Sequence, residues 1–94
     1  MTDFVSSVIL TETNAENDIQ NRFRLIQTAD LFHNTDVFSI FLTTESNHIC
    51  TEDFVYDISR DADTAKKFFR LLCKENVSAL HLREAAEDFI LSQC

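Results

Sequence analysis

The chain has 94 residues, a net charge of −8 at neutral pH, and neither glycine nor proline. That length accommodates one domain, spanning 1–94, with a single thin core, and nine phenylalanines supply much of its bulk. Phosphate loops and dinucleotide fingerprints are excluded, because both need glycine for close backbone approach to phosphate.

Residues 1–59 read as mainly β. In Phe4–Glu12, Phe4, Val8 and Leu10 alternate with Val5 and Ile9, the period-two pattern of a strand. Thr13–Asp18 is polar and reads as a turn. A second strand is expected from Arg22 to Thr28, with Phe23 and Leu25 inward. Asp30–Asp36 breaks the pattern and reads as a loop, with Leu31 and Phe32 placed to tuck under the sheet. Val37–Thr44 is apolar on both faces, as a central strand is. A turn at Glu45–His48 leads to a last strand, Cys50–Ile58, with Phe54, Tyr56 and Ile58 facing one way. Without glycine, asparagine is the residue best suited to left-handed turn positions, which nominates Asn14, Asn17, Asn34, Asn47 and Asn76.

Two helices follow, at 61–76 and 78–93. Asp61 suits an N-cap, and Ala65, Phe68, Phe69 and Leu72 then form one apolar stripe. Asn76 suits a left-handed helix end. Ser78 is the expected second cap, with Val77 and Leu82 spaced as a hydrophobic staple. Leu82, Ala85, Ala86, Phe89 and Ile90 form the second stripe. The predicted fold is α+β: about four mainly antiparallel strands, then a helical hairpin packed on one sheet face.

The sequence Tyr56-Asp-Ile-Ser59, then Val77-Ser-Ala-Leu-His-Leu82 and Glu87-Asp-Phe-Ile90, resembles an uncharacterised family of short Firmicutes proteins. The likeness covers roughly residues 37–91. In that family the second helix opens Ser-Pro-x-His-Leu and closes Glu-Asp-Phe-Leu; here Ala79 and Ile90 take the proline and last leucine positions. The resemblance implies a bacterial cytoplasmic protein and carries no known activity.

Charge is uneven. Residues 1–59 hold ten acidic groups against Arg22 and Arg24, whereas Arg60–Asn76 is locally basic. An acidic chain repels nucleic acid as a whole, leaving Lys67, Arg70 and Lys74 as a basic helix face for weak contact. The three cysteines, Cys50, Cys73 and Cys94, have no paired spacing, which favours reduced thiols in a cytoplasm. No apolar stretch approaches a membrane span.

Three functional readings follow. Val5, Ile9, Ile26, Val37, Phe41 and Val55 are expected on the sheet face away from the helices, where an apolar patch would need a protein partner or a second copy. This favours a small non-enzymatic interaction or regulatory module, using that face or the helical hairpin. The alternative is a small-ligand binder or enzyme using His81 with Asp57 and Glu84, since His81 and Glu84 are one helical turn apart. The plainer role for His81 is a first-turn residue bonding to the preceding loop or to Asp57. Nucleic-acid contact through the basic face is the third reading. His48 and Cys50 are zinc-type ligands without a second pair, Cys73 reads as a core residue and Cys94 as a terminal thiol. No metal or other cofactor is expected.

Overall fold

The computed structural model describes residues 4–31 and 34–92. Its elements are β1 (Phe4–Glu16), β2 (Ile19–Asp30), β3 (Thr35–Ser46), β4 (Ile49–Ser59), α1 (Ala62–Glu75), a 3-10 turn at Ala79–His81, and α2 (Leu82–Ser92). The strands form an antiparallel meander in the order β1-β2-β3-β4, and both helices pack on the sheet. The molecule measures 44 × 34 × 17 Å, one sheet layer and one helix layer thick.

The strands extend beyond their apolar runs because the β1–β2 and β3–β4 connections need only two residues each. Asn17 has φ 54°, and Asn47 and His48 have φ 51° and 66°, so left-handed asparagines close the hairpins where glycine would be usual. Thr13–Glu16 is therefore strand, not turn, paired through Asn14↔Asn21. The Asn14 side-chain amide donates to the Cys73 carbonyl at 2.9 Å, tying the end of β1 to α1. Asn34 and Asn76 also take positive φ. Leu31 is exposed, not tucked under the sheet, because the β2–β3 connection leaves it at the rim; Phe32 lies outside the described residues.

Phe23, Leu25, Phe38, Ile40 and Leu42 form the sheet half of the core. Ala65, Phe68, Phe69 and Leu72 from α1 and Leu82, Ala86 and Phe89 from α2 close over them. The Phe68 and Phe89 rings stack at 4.7 Å between centroids, joining the two helices.

Two irregularities decide which residues face the helices. In β1, Val8 pairs with Ile26 but Leu10 pairs with Leu25, so Ile9 is an extra residue and packs toward the core with Leu10. In β4 the pairing moves from Ile40↔Val55 to Phe38↔Ser59, which leaves two extra residues around Asp57. Asp57 takes φ 55°, and its backbone N–H donates to Ser39 Oγ at 3.1 Å. This bulge resets the alternation. Ile58 joins the core, while Phe54 and Tyr56, expected to share its face, lie on the opposite side.

Asp61 caps α1: its Oδ2 accepts from Thr64 N at 2.9 Å and from Thr64 Oγ1 at 2.6 Å. At the other end Asn76 is left-handed (φ 51°, ψ 49°), and Val77 N donates to Leu72 O at 3.1 Å, a Schellman closure. The second helix departs from expectation. It opens with the 3-10 turn, and Ser78 makes no side-chain cap bond. The acceptor comes from the sheet instead: Ala79 N–H donates to Thr44 Oγ1 of β3 at 2.7 Å. A hydroxyl already fixed in a strand does for this helix start what a local cap does elsewhere. The expected final residue, Gln93, lies outside the described residues.

Candidate functional site

The strand register defines rows of side chains across the helix-free side. One row is Thr13–Arg22–Thr43–Glu52, the next Thr11–Arg24–Phe41–Phe54, and the next begins Val8–Ile26–Ser39. Short contacts bear out this assignment. The Arg24 guanidinium lies 5.5 Å from the Phe41 ring centroid. Phe41 and Phe54 are 6.4 Å apart, and Phe54 and Tyr56 are 6.3 Å apart. The result is an apolar strip crossing the sheet from Val8 to Tyr56. Val8, Phe54 and Tyr56 remain 52%, 40% and 55% exposed, and Ile26 and Phe41 are half-buried.

Of the six residues expected on this side, Ile26, Val37 and Phe41 lie in its rows, although Val37 is buried. Val5, Ile9 and Val55 do not. Val5 pairs with Ala29, in the alternating row of Leu25, and is exposed near the rim. The β1 bulge turns Ile9 inward, and the Ile40↔Val55 pairing turns Val55 toward the core. Phe54 and Tyr56 lie on this side in their stead. Their spacing, two apart in a strand, was visible in the sequence; the bulge that detaches them from Ile58 was not.

The proposed polar site is not gathered. His81 Nδ1 lies 3.8 Å from Glu84 Oε2, with both side chains exposed (67% and 81%). An exposed pair of this kind contributes between zero and about 1 kcal/mol, and only when the imidazole is protonated. Asp57 instead lies 3.8 Å from the guanidinium of Arg60, in the β4 bulge. No hydrogen bond or ion pair among the described residues joins it to His81 or Glu84.

Lys67, Arg70 and Lys74 are exposed along α1, as expected of its wet face. Among the described residues, no three His, Cys, Asp or Glu side chains gather as metal ligands, and His48 and Cys50 sit exposed at and just beyond the β3–β4 hairpin. Burial pushes the Cys73 thiol up to about 12, helped by the neighbouring Glu12 carboxylate through a hydrogen bond and its charge. Such a thiol stays protonated and unreactive near neutrality. Cys94 lies outside the described residues.

Two polar arrangements escaped the sequence reading. The first is a buried junction where the helix connection meets the sheet. Asn21, 2% exposed, donates through Nδ2 to Asn76 Oδ1 at 2.9 Å and accepts from Thr44 Oγ1 at 2.7 Å. The same Thr44 oxygen caps the 3-10 turn. The second is a fork: Arg83 of α2 donates to both carboxylate oxygens of Asp53 in β4, at 3.0 and 3.1 Å. Both bring together residues at least 23 positions apart, so no local motif announces them.

Open clefts lie elsewhere. One of about 410 Å³ lies between the ends of β1 and α1, past Asn14, Glu16 and Lys74. Another of about 400 Å³ sits between the hairpin tips, bordered by Asn17, Asp18, Glu45, Asn47 and His48. A third, about 270 Å³ and largely apolar, runs between α1 and α2 past Leu71, Val77 and Phe89. Among the described residues no helix is long and apolar enough to cross a membrane. Comparison with known proteins adds no relative: no family model, curated protein or solved structure matches the chain.

Proposed function

We propose that this chain is a small non-enzymatic protein-interaction module of the bacterial cytoplasm, with the helix-free sheet side as its contact surface. The carrying observation is the strip Val8–Ile26–Phe41–Phe54–Tyr56, whose two outer ends stay exposed on the sheet side opposite the helices. One-sided antiparallel sheets normally present polar residues to water, and aromatic side chains are enriched where proteins meet. Phe54 and Tyr56 combine large apolar area with few rotatable bonds, so ordering them costs little on association. The bacterial cytoplasmic setting rests on the resemblance of residues 37–91 to the Firmicutes family.

The test is site-directed photo-crosslinking in cells. A photoreactive residue at Phe54 or Tyr56 is expected to give a discrete protein adduct. The same group at Arg70, exposed on the outside of α1, is expected to give none. No adduct at either strand position, in cells that express the folded protein, would count decisively against the module reading.

A further inference from the structure

The geometry points to a second copy of this chain as the occupant of the strip, packed face to face about a two-fold axis running along β3. This rests on the module reading above and names its partner.

Arg22 and Arg24 are the only cations in residues 1–59, and the register places both on the helix-free side, on β2. Glu52 lies on the same side, on β4. Arg22 and Glu52 share one row and flank Thr43 from opposite sides, each one strand away, about 4.8 Å. Rotation by 180° about β3 lays β2 of one copy over β4 of the other and keeps each row on itself. Arg22 then faces Glu52 of the second copy, twice per dimer, and Arg24 comes over the Phe54 ring, the contact it already makes with Phe41 at 5.5 Å. Phe41 meets Phe41 on the axis. A face-to-face two-fold perpendicular to the strands and centred on the Phe41 row sets β2 against β2 and Arg24 against Arg24, so it is disfavoured.

Glu45, two residues beyond Thr43 on β3, would meet its own copy if the strands were parallel. Packed sheets cross at about 30°, which spreads the ends of the axis and separates the two Glu45 side chains. Arg22 and Glu52, closer to the centre and longer in reach, stay paired. The overlap in this arrangement is three strands wide, β2 to β4 of each copy.

Sedimentation equilibrium of the full chain over a concentration series, combined with a charge swap, tests this. The wild type is expected to dimerise. R22E and E52R are each expected to raise the dissociation constant about tenfold or more, and R22E/E52R to return it to within about threefold. E52R is the sharpest arm. It lowers the magnitude of the −8 net charge, so general repulsion alone would tighten association, whereas loss of a specific pair weakens it. A wild type that stays monomeric at about millimolar concentration, or a dimer indifferent to these substitutions, or a double variant no better than the singles, would overturn the proposal. If the monomer still gives crosslinks to a different protein at Phe54, the two-fold dimer falls and the module stands; a monomer with no adduct removes both.

Discussion

Replacing Asn21 by alanine should unsettle the fold more than any other single polar change on the helix side of the sheet. Asn21 links Thr44 of β3 to Asn76, the left-handed residue that ends α1, and Thr44 in turn caps the 3-10 turn through Ala79. Alanine removes two hydrogen bonds, each worth about 1 kcal/mol net. It also leaves the Thr44 hydroxyl without its acceptor and opens a small gap at a site that is 2% exposed. Together these amount to about 2–4 kcal/mol, or about 10–25 °C in Tm for a domain of this size. Urea unfolding of Asn21→Ala, Thr44→Ala and the double variant measures both the loss and its coupling. The midpoint should fall at constant m, and the double variant should be less destabilised than the sum of the singles by about 1 kcal/mol. A loss under about 0.5 kcal/mol for Asn21→Ala, or strict additivity, would refute the view that these residues act as one junction.

The Asp61 carboxyl is held below its ordinary value of 3.8 by its two hydrogen bonds from Thr64. A depressed acid stabilises the folded state above its unfolded pKa and loses that contribution as pH falls through the folded one; the stability gap between wild type and Asp61→Ala, by urea unfolding, should therefore be full at pH 7 and shrink below pH 3.8. In a Cys94→Ser background, a thiol reagent at pH 8 should modify exposed Cys50 at once and Cys73 only on denaturation. Because the Cys73 thiol is raised from 9.0 to about 12, the unfolded chain releases that proton first, and stability should decline as pH rises above 9. Arg83→Ala, which breaks the fork to Asp53 from a side chain that is 71% exposed, should cost under about 1 kcal/mol. Phe89→Ala, which removes a ring stacked on Phe68, should cost about 3–5 kcal/mol; calorimetry on the two variants compares them directly.

The core and the two helices were legible because side-chain period is a local property. Phe23, Leu25, Phe38, Ile40 and Leu42 alternate, Ala65 to Leu72 and Leu82 to Phe89 follow a helical stripe, although Ile90, expected at its end, is exposed, and Asp61 and Asn76 bracket the first helix. Facing was legible only as far as the first irregularity. One extra residue at Ile9 shifts the parity of β1, so Val5 and Ile9 exchange places with Val8; in β4 the two extra residues around Asp57 detach Ile58 from Phe54 and Tyr56, which take the face expected of Val55. A bulge has no compositional mark here, since Asp57 takes a left-handed conformation at a position that reads as ordinary strand. The Thr44 cap was invisible for a related reason. Its partner Ala79 is 35 residues away, and Ser78, the local candidate, is the residue a sequence rule selects. Asp57 sits in the β4 bulge and His81 in the 3-10 turn, so helical spacing could pair His81 with Glu84 but not with the strand.

The meander also constrains how the chain reaches its fold. Every strand pairs with its neighbour in sequence, across connections of two to four residues, so the sheet can assemble hairpin by hairpin with little loop entropy lost at each step. With no proline in the chain, no slow isomerisation of an imide bond stands in the way. Refolding should run in a single exponential phase on the millisecond scale or faster. The last contacts to form should be those at Thr44, where the helix connection arrives on a sheet already built.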